Sequence, residues 1–148
     1  MIHGGVKIGS QCSFRENICI NVTGGRVEIG NGCFFNDFVC LNSRNLIAIG
    51  SGSIFGQGVK IYDHDHDYKS ENVHDNFVCS SVKIGNCVWV GSDAIILKGS
   101  LIGNNCVIGA KALLKRKLED DTLYYNKIVP NIERIEINEE KTTNNDDS

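Results

Sequence analysis

The chain has 148 residues, a formal net charge of −3, 16 glycines, one proline and seven cysteines, with 41% hydrophobic and 22% charged residues. That length suits one domain, and the mildly acidic balance argues against nucleic acid or an anionic membrane as partner. Its apolar runs are a handful of residues, far short of the roughly 20 needed to cross a bilayer, and Met1 to Gly5 lacks the basic-then-apolar pattern of a secretion signal.

Along the chain, Ile-Gly returns at Ile8-Gly9, Ile29-Gly30, Ile49-Gly50, Ile84-Gly85 and Ile102-Gly103, at intervals of 21, 20, 35 and 18 residues. A six-residue phase runs between these markers: Ile8, Phe14, Ile20; Ile29, Phe35, Leu41; Ile49, Phe55, Ile61; then Ile84, Val90, Ile96, Ile102, Ile108 and Leu114. Such self-similarity predicts a solenoid in which each coil buries its interior against its neighbours. Five coils are expected, at about 6–25, 26–46, 47–62, 82–99 and 100–117, making a β-helix domain over 1–118. Residues 63–81 break the period and form an ejected loop, a common place for function on a uniform scaffold. Residues 119–137 read as an extension packing on the last coil, with Ile132, Ile135 and Ile137 in a strand or short helix. The acidic stretch 138–148 reads as disordered.

Glycine, asparagine and aspartate at coil ends suit tight turns in left-handed backbone conformations. Cys12, Cys33, Ser53, Val88 and Cys106 fall four residues after each marker and read as small interior residues. The odd cysteine count and the lack of a Cys-x-x-Cys pair argue against a disulfide framework or structural zinc and for a reducing, cytoplasmic setting. Phe34, Phe38, Phe77 and Trp89 fall at outward phases, which predicts self-association.

The Ile-Gly hexads, the run Ile84 to Ser92 and the run Val107 to Ala110 resemble the hexapeptide-repeat acyltransferases, nearest the maltose, galactoside and capsular-polysaccharide O-acetyltransferase branch. The resemblance spans nearly all of residues 2–135. It implies an all-β solenoid, specifically a left-handed parallel β-helix, assembled as a homotrimer with acetyl-CoA bound between subunits. The left hand belongs to the resemblance alone, since parallel crossovers are right-handed in about 98% of sheets. The repeats begin almost at Met1, without the N-terminal helical segment of the maltose and galactoside enzymes.

The densest polar cluster is Tyr62-Asp63-His64-Asp65-His66-Asp67-Tyr68, at the root of the ejected loop. Acyl transfer to a hydroxyl needs a base, and histidine titrates near neutral pH. The resemblance places the catalytic histidine five residues after the last hexad aliphatic, which gives His66. His64 is the second choice and projects to the same side if the strand stays extended. Asp63 is assigned to the acceptor side, and Asp63, Asp65 or a backbone carbonyl holds an imidazole tautomer. By the same resemblance Asn36 contacts the acceptor sugar, and Trp89 lines the cleft shared by acceptor and acetyl-CoA. Ser92, Ala110, Lys111, Lys115 and Arg116 are matched to acetyl-CoA contacts. Lys111 stands where the family usually has glycine, and Tyr125 to Ile128 replaces a common Gly-Asn-Pro-Ala ending.

The expected function is acetyl-CoA-dependent O-acetylation of a saccharide bound for a cell-surface polysaccharide, by direct transfer and without a metal. Rival readings are N-acetylation of an amino sugar, a metal-dependent lyase like the γ-class carbonic anhydrases, and a purely structural solenoid. For each singled-out residue a plainer reading stands beside the functional one. The His-Asp run has a lesser reading as a solvated loop or weak metal site, Asn36 as a turn residue, Trp89 as an interface aromatic, and the lysines as a solvated basic face.

Overall fold

A computed structural model describes residues 4–139; of the expected disordered stretch, residues 140–148 lie outside them. The first coil comprises β1 (Gly5–Ile8), β2 (Ser13–Phe14) and β3 (Cys19–Val22); the second comprises β4 (Arg26–Ile29), β5 (Phe34–Phe35) and β6 (Cys40–Ser43). The third contains β7 (Ile47–Ile49), β8 (Ile54–Phe55) and β9 (Lys60–Tyr62), and the ejected segment then supplies β10 (His64–His66) and β11 (Phe77–Cys79). The fourth has β12 (Val82–Ile84), β13 (Trp89–Val90) and β14 (Ile95–Ile96), and the fifth β15 (Leu101–Ile102), β16 (Val107–Ile108) and β17 (Leu113–Leu114). A sixth, partial coil adds β18 (Lys117–Leu118) and β19 (Leu123–Tyr124).

These strands stack into three parallel sheets. Sheet I runs β1-β4-β7-β12-β15-β18, sheet II runs β2-β5-β8-β13-β16-β19, and sheet III runs β3-β6-β9-β14-β17. The solenoid is therefore a parallel β-helix of five full coils and part of a sixth. The six-residue phase is the inward column of each sheet: Ile8-Ile29-Ile49-Ile84-Ile102-Leu118, Phe14-Phe35-Phe55-Val90-Ile108-Tyr124 and Ile20-Leu41-Ile61-Ile96-Leu114. Phe14, Phe35 and Phe55 stack with successive ring centroids 4.8 Å apart and planes within 2°, so the coil spacing is also an aromatic stacking distance.

The marker glycines answer to crowding between coils. A Cβ on Gly50 would lie 2.5 Å from the Asn86 side-chain oxygen and 2.6 Å from the Gly85 carbonyl carbon, and Gly30 and Gly85 are equally confined. Above this contact runs a side-chain ladder in which each coil caps an amide of the one before. Asn31 accepts from the Ser10 amide (2.9 Å), Ser51 from Asn31 (3.0 Å), Asn86 from Ser51 (2.8 Å), Asn104 from Asn86 (2.8 Å) and Asp120 from Asn104 (2.7 Å). Beside it the small interior residues are hydrogen-bond donors as well as fillers. Cys12, Cys33 and Ser53 donate to the carbonyls of Gly30, Gly50 and Gly85, each at 3.1 Å.

Left-handed backbone is confined to defined corners. Between sheets II and III it falls on Asn17, Phe38, Gly58, Asp93 and Lys111. Lys111 (φ 59°) thus occupies the position that Gly58 (φ 72°) fills two coils earlier, which is the physical sense of a glycine being usual there.

The expected extension behaves differently along its length. Its start forms β19, and Asn126 and the Tyr124 hydroxyl cap the Leu113 amide and carbonyl on the open edge of sheet III (2.6 and 2.8 Å). Beyond it, residues 125–138 form no strand, and Ile132 and Ile135 are 92% and 83% exposed, so neither the strand nor the helix envisaged there is present. Phe77, expected on an outward coil phase, belongs instead to the ejected segment.

Gly50→Ala should cost about 2–3 kcal/mol, because the opposing atoms are largely backbone. Gly24→Ala, whose Cβ meets nothing within 4 Å at φ +70°, should cost only about 1 kcal/mol. Equal losses in urea denaturation would show that the coils part easily at Gly50 and that their spacing does not select the marker glycines.

Candidate active site

At the corner between sheets III and I the ejected segment leaves the third coil as an antiparallel hairpin. His64 pairs with Cys79, Asp65 with Val78 and His66 with Phe77, and the Ser80 amide closes on the Asp63 carbonyl at 2.8 Å. Alternation along β10 sends His64 and His66 to one side, where both pack against Phe77 with ring centroids 5.7 and 4.7 Å away.

Asp63 is fully buried at the base of this hairpin. Its carboxylate accepts from the Ser43 hydroxyl and the amides of Arg44 and Asn45, each at 2.8 Å, and contacts His64 Nδ1 at 2.8 Å. Burial alone would raise its pKa. The four hydrogen bonds outweigh that and hold the carboxyl below its ordinary range. An ionised carboxylate only accepts, so His64 carries a proton on Nδ1, and in the neutral imidazole Nε2 is the nitrogen left to act as a base. His66 Nδ1 lies 2.9 Å from the Val73 carbonyl, which fixes the same tautomer with a weaker partner in an exposed loop.

Two adjoining cavities open here. One, of about 460 Å³, is lined by Arg44, His64, His66, His74, Asp75 and Phe77. The other, of about 370 Å³, is lined by Tyr62, His64, Asp65, His66 and Leu97. Lys98 reaches Asp65 at 3.2 Å, and its side-chain hydrogen bond to Lys115, with its charge adding to it, lowers the pKa of Lys115. Lys115 and Arg116, at the end of sheet III in the fifth coil, therefore share the histidine corner of the molecule.

The remaining candidates lie elsewhere on the protomer. Asn36, Ser92, Ala110 and Lys111 stack along the corner between sheets II and III, and the Lys111 amide bonds the Ser92 carbonyl at 2.8 Å. Asn36 accepts from the Asp37 amide at 2.8 Å, as a turn residue does. Trp89 projects outward from sheet II in an apolar row with Phe34, Ile54, Val107 and Leu123. One chain thus gathers Asp63, His64, His66, Lys115 and Arg116, but leaves Asn36, Ser92 and Ala110 across the width of sheet III.

Sequence reasoning passed over Arg44 and Lys98 and gave Phe77 no part in the site. Arg44 sits one coil before His64 in the same register, two residues beyond the Asn42–Tyr62 pair, so its coil position was the available signal. Among the described residues no group of three histidine, cysteine, aspartate or glutamate side chains is placed to hold a metal ion. All seven cysteines are free thiols, and no described helix is long and apolar enough to cross a membrane.

Because Asp63 titrates below its ordinary value when folded, its stabilisation is complete above the unfolded value of about 4 and is lost as pH falls through the folded one. The stability advantage of the native chain over Asp63→Asn should persist above about pH 4 and shrink below it. An advantage unchanged down to pH 3 in urea titrations would rule out an ionised Asp63.

Residues 81–116 match the family described as bacterial transferase hexapeptide (six repeats). WbbJ of Escherichia coli K12, named for lipopolysaccharide biosynthesis O-acetyl transfer, is 30% identical over 87 residues, covering 52% of this chain and 44% of WbbJ. The chain therefore spans under half of that relative's length. Among solved structures, a hexapeptide-repeat acetyltransferase of Vibrio cholerae complexed with acetyl coenzyme A superposes with a TM-score of 0.71 at 25% identity, over 80% of this chain and 64% of that one. AntD of Bacillus cereus, an N-acyltransferase in complex with dTDP and 3-hydroxybutyryl-CoA, shares the fold with a TM-score of 0.73 at 19% identity, over 95% of this chain and 77% of AntD. Residues 81–116 thus match the hexapeptide repeats of bacterial transferases, within a parallel β-helix that runs through five full coils and part of a sixth.

Proposed function

We propose that the chain transfers an acetyl group from acetyl-CoA to a saccharide hydroxyl, with His64 as the general base. The observation that carries this reading is the Asp63–His64 pair, a buried carboxylate fixing an imidazole that lines both cavities. His66 was expected to be the base. The order is reversed because a buried carboxylate orients an imidazole, and stabilises its protonated form, better than a loop carbonyl does. His66 then serves the acceptor side.

His64 Nε2 takes the proton of the sugar hydroxyl as its oxygen attacks the thioester carbonyl. The tetrahedral intermediate collapses with loss of the CoA sulfur, which receives that proton from the imidazolium. The oxyanion rests on a backbone amide, and no acyl-enzyme is needed. Cys33 and Cys106, buried and hydrogen-bonded between coils, are poorly placed as nucleophiles.

For the donor, Lys115 and Arg116 suit the CoA phosphates, and a bound phosphate would relieve the repulsion between Lys115 and Lys98. Ser92 and Ala110, small and exposed, leave room for the pantetheine arm, with Lys111 alongside. Their separation from His64 on one protomer favours a trimer in which neighbouring copies complete each site. The exposed row of Ile54, Trp89 and Leu123 on sheet II suits the contact between copies. Asn36 and Trp89 then face the acceptor across that contact. A polysaccharide precursor as acceptor fits the naming of WbbJ, and a cytoplasmic setting fits the seven free thiols. N-acylation is the second reading, favoured by the likeness to AntD; the same base and donor site serve an amine.

His64→Ala should lower turnover about 100-fold or more without changing the KM for acetyl-CoA, and His66→Ala should be milder. Thiol release from acetyl-CoA across a panel of sugars and amino sugars measures both, and the opposite ranking would return the role to His66. The double change Lys115→Gln with Arg116→Gln should raise the KM for acetyl-CoA about tenfold or more, leaving that for the sugar unchanged. An unaltered KM for acetyl-CoA would make this basic corner a solvated face.

A further inference from the structure

We propose that the acceptor is an anionic saccharide, carrying a phosphate or carboxylate beside its sugar ring, and that Arg44 seats this group. The inference rests on the reading of His64 as the base of acetyl transfer and names the chemistry of the molecule that approaches it.

Arg44 is half-buried at the corner between sheets III and I, one coil before His64. Its guanidinium carbon lies 3.6 Å from the centroid of the Phe77 ring, and Phe77 in turn packs 4.7 Å from His66. An aromatic face holds a guanidinium in plane and leaves its edge donors free, so the fork is oriented before a ligand arrives. The side chain lines the cavity of about 460 Å³ that it shares with His64, His66, His74, Asp75 and Phe77.

Among the described residues no carboxylate forms an ion pair with this guanidinium. The two acids close by are already engaged. Asp63 spends its oxygens on Ser43, His64 and the amides of Arg44 and Asn45. Asp75, the one carboxylate in the cavity lining, is held by His74 at 2.7 Å and by Asn72 at 2.8 Å. Asp65, on the opposite side of β10, is paired with Lys98. A half-buried, pre-oriented guanidinium with no acid of its own matches the paired oxygens of a phosphate or carboxylate.

The placement also separates two anions. Lys98 and Lys115 lie on the Asp65 side of β10 and suit the donor phosphates, whereas Arg44 lies beyond Phe77 on the other cavity. The hydroxyl to be acetylated then falls at His64, between them.

The test uses the intact chain and thiol release from acetyl-CoA, with methyl glucoside, methyl glucuronoside and UDP-glucose as neutral, carboxylate and diphosphate acceptors. The native chain should favour one of the charged acceptors, and which one identifies the source of the anion. Arg44→Gln should raise the KM for that acceptor about tenfold or more and leave the KM for methyl glucoside and for acetyl-CoA unchanged. Arg44→Lys should recover part of the loss. Equal changes for neutral and charged acceptors, or a rise confined to acetyl-CoA, would overturn the proposal while leaving acetyl transfer intact. If the native chain releases no thiol with any acceptor, the transfer reading is what fails. Calorimetric titration with pyrophosphate and with glucuronate then decides the role of Arg44 by itself. Binding that Arg44→Gln abolishes upholds the anion seat, and absent or unaltered binding refutes it.

Discussion

The distance between successive coils governs everything else in this molecule. Parallel in-register strands place each side chain directly over its counterpart one coil away, so every inward column must tolerate its own repetition. Aliphatic side chains and flat aromatic rings do so, as Phe14, Phe35 and Phe55 illustrate. At the corners the same distance leaves no room for a Cβ, and Gly30, Gly50 and Gly85 are the outcome. The asparagine, serine and aspartate ladder then pairs the amides beside this close approach. The repeat is thus one spacing met by three kinds of residue.

A scaffold so regular presents similar surfaces on every coil, and chemistry needs an exception. The hairpin of β10 and β11 supplies it at a corner already occupied by a buried acid. Asp63 belongs to both worlds: its oxygens bind the turn of the preceding coil, and one of them also holds His64. The histidine inherits the rigidity of the solenoid through that single carboxylate, whereas His66, tied to a loop carbonyl, inherits the looser loop.

Much of the architecture was legible because periodicity is a property of the chain itself. The hexad phase named the inward residue of every strand in the five full coils, though not Leu118 and Tyr124 of the partial sixth, and the break after Tyr62 located the hairpin. Interior cysteines looked like fillers because a thiol's size is written in the sequence and its partner is not; the carbonyls of Gly30 and Gly50 lie 17 or 18 residues away. The different anchoring of His64 and His66 was hidden for a similar reason, since it turns on which imidazole a buried acid can reach. Ile135 and Ile137 alternate like strand residues, yet they follow the side-chain cap that Tyr124 and Asn126 place on sheet III. Arg44 carries no local mark and gains meaning only when coils are superimposed.

The closure of the ejected segment on itself has an evolutionary consequence. The Ser80 amide returns to the Asp63 carbonyl, and β12 resumes pairing with β7 as though nothing had intervened. Residues 67–76 can therefore change in length and composition without shifting any column of the solenoid. Drift in substrate preference is uncoupled from drift in foldability, so paralogues on this scaffold can diversify rapidly in one short stretch. The corners of the coils themselves, locked to the coil spacing, have no such freedom.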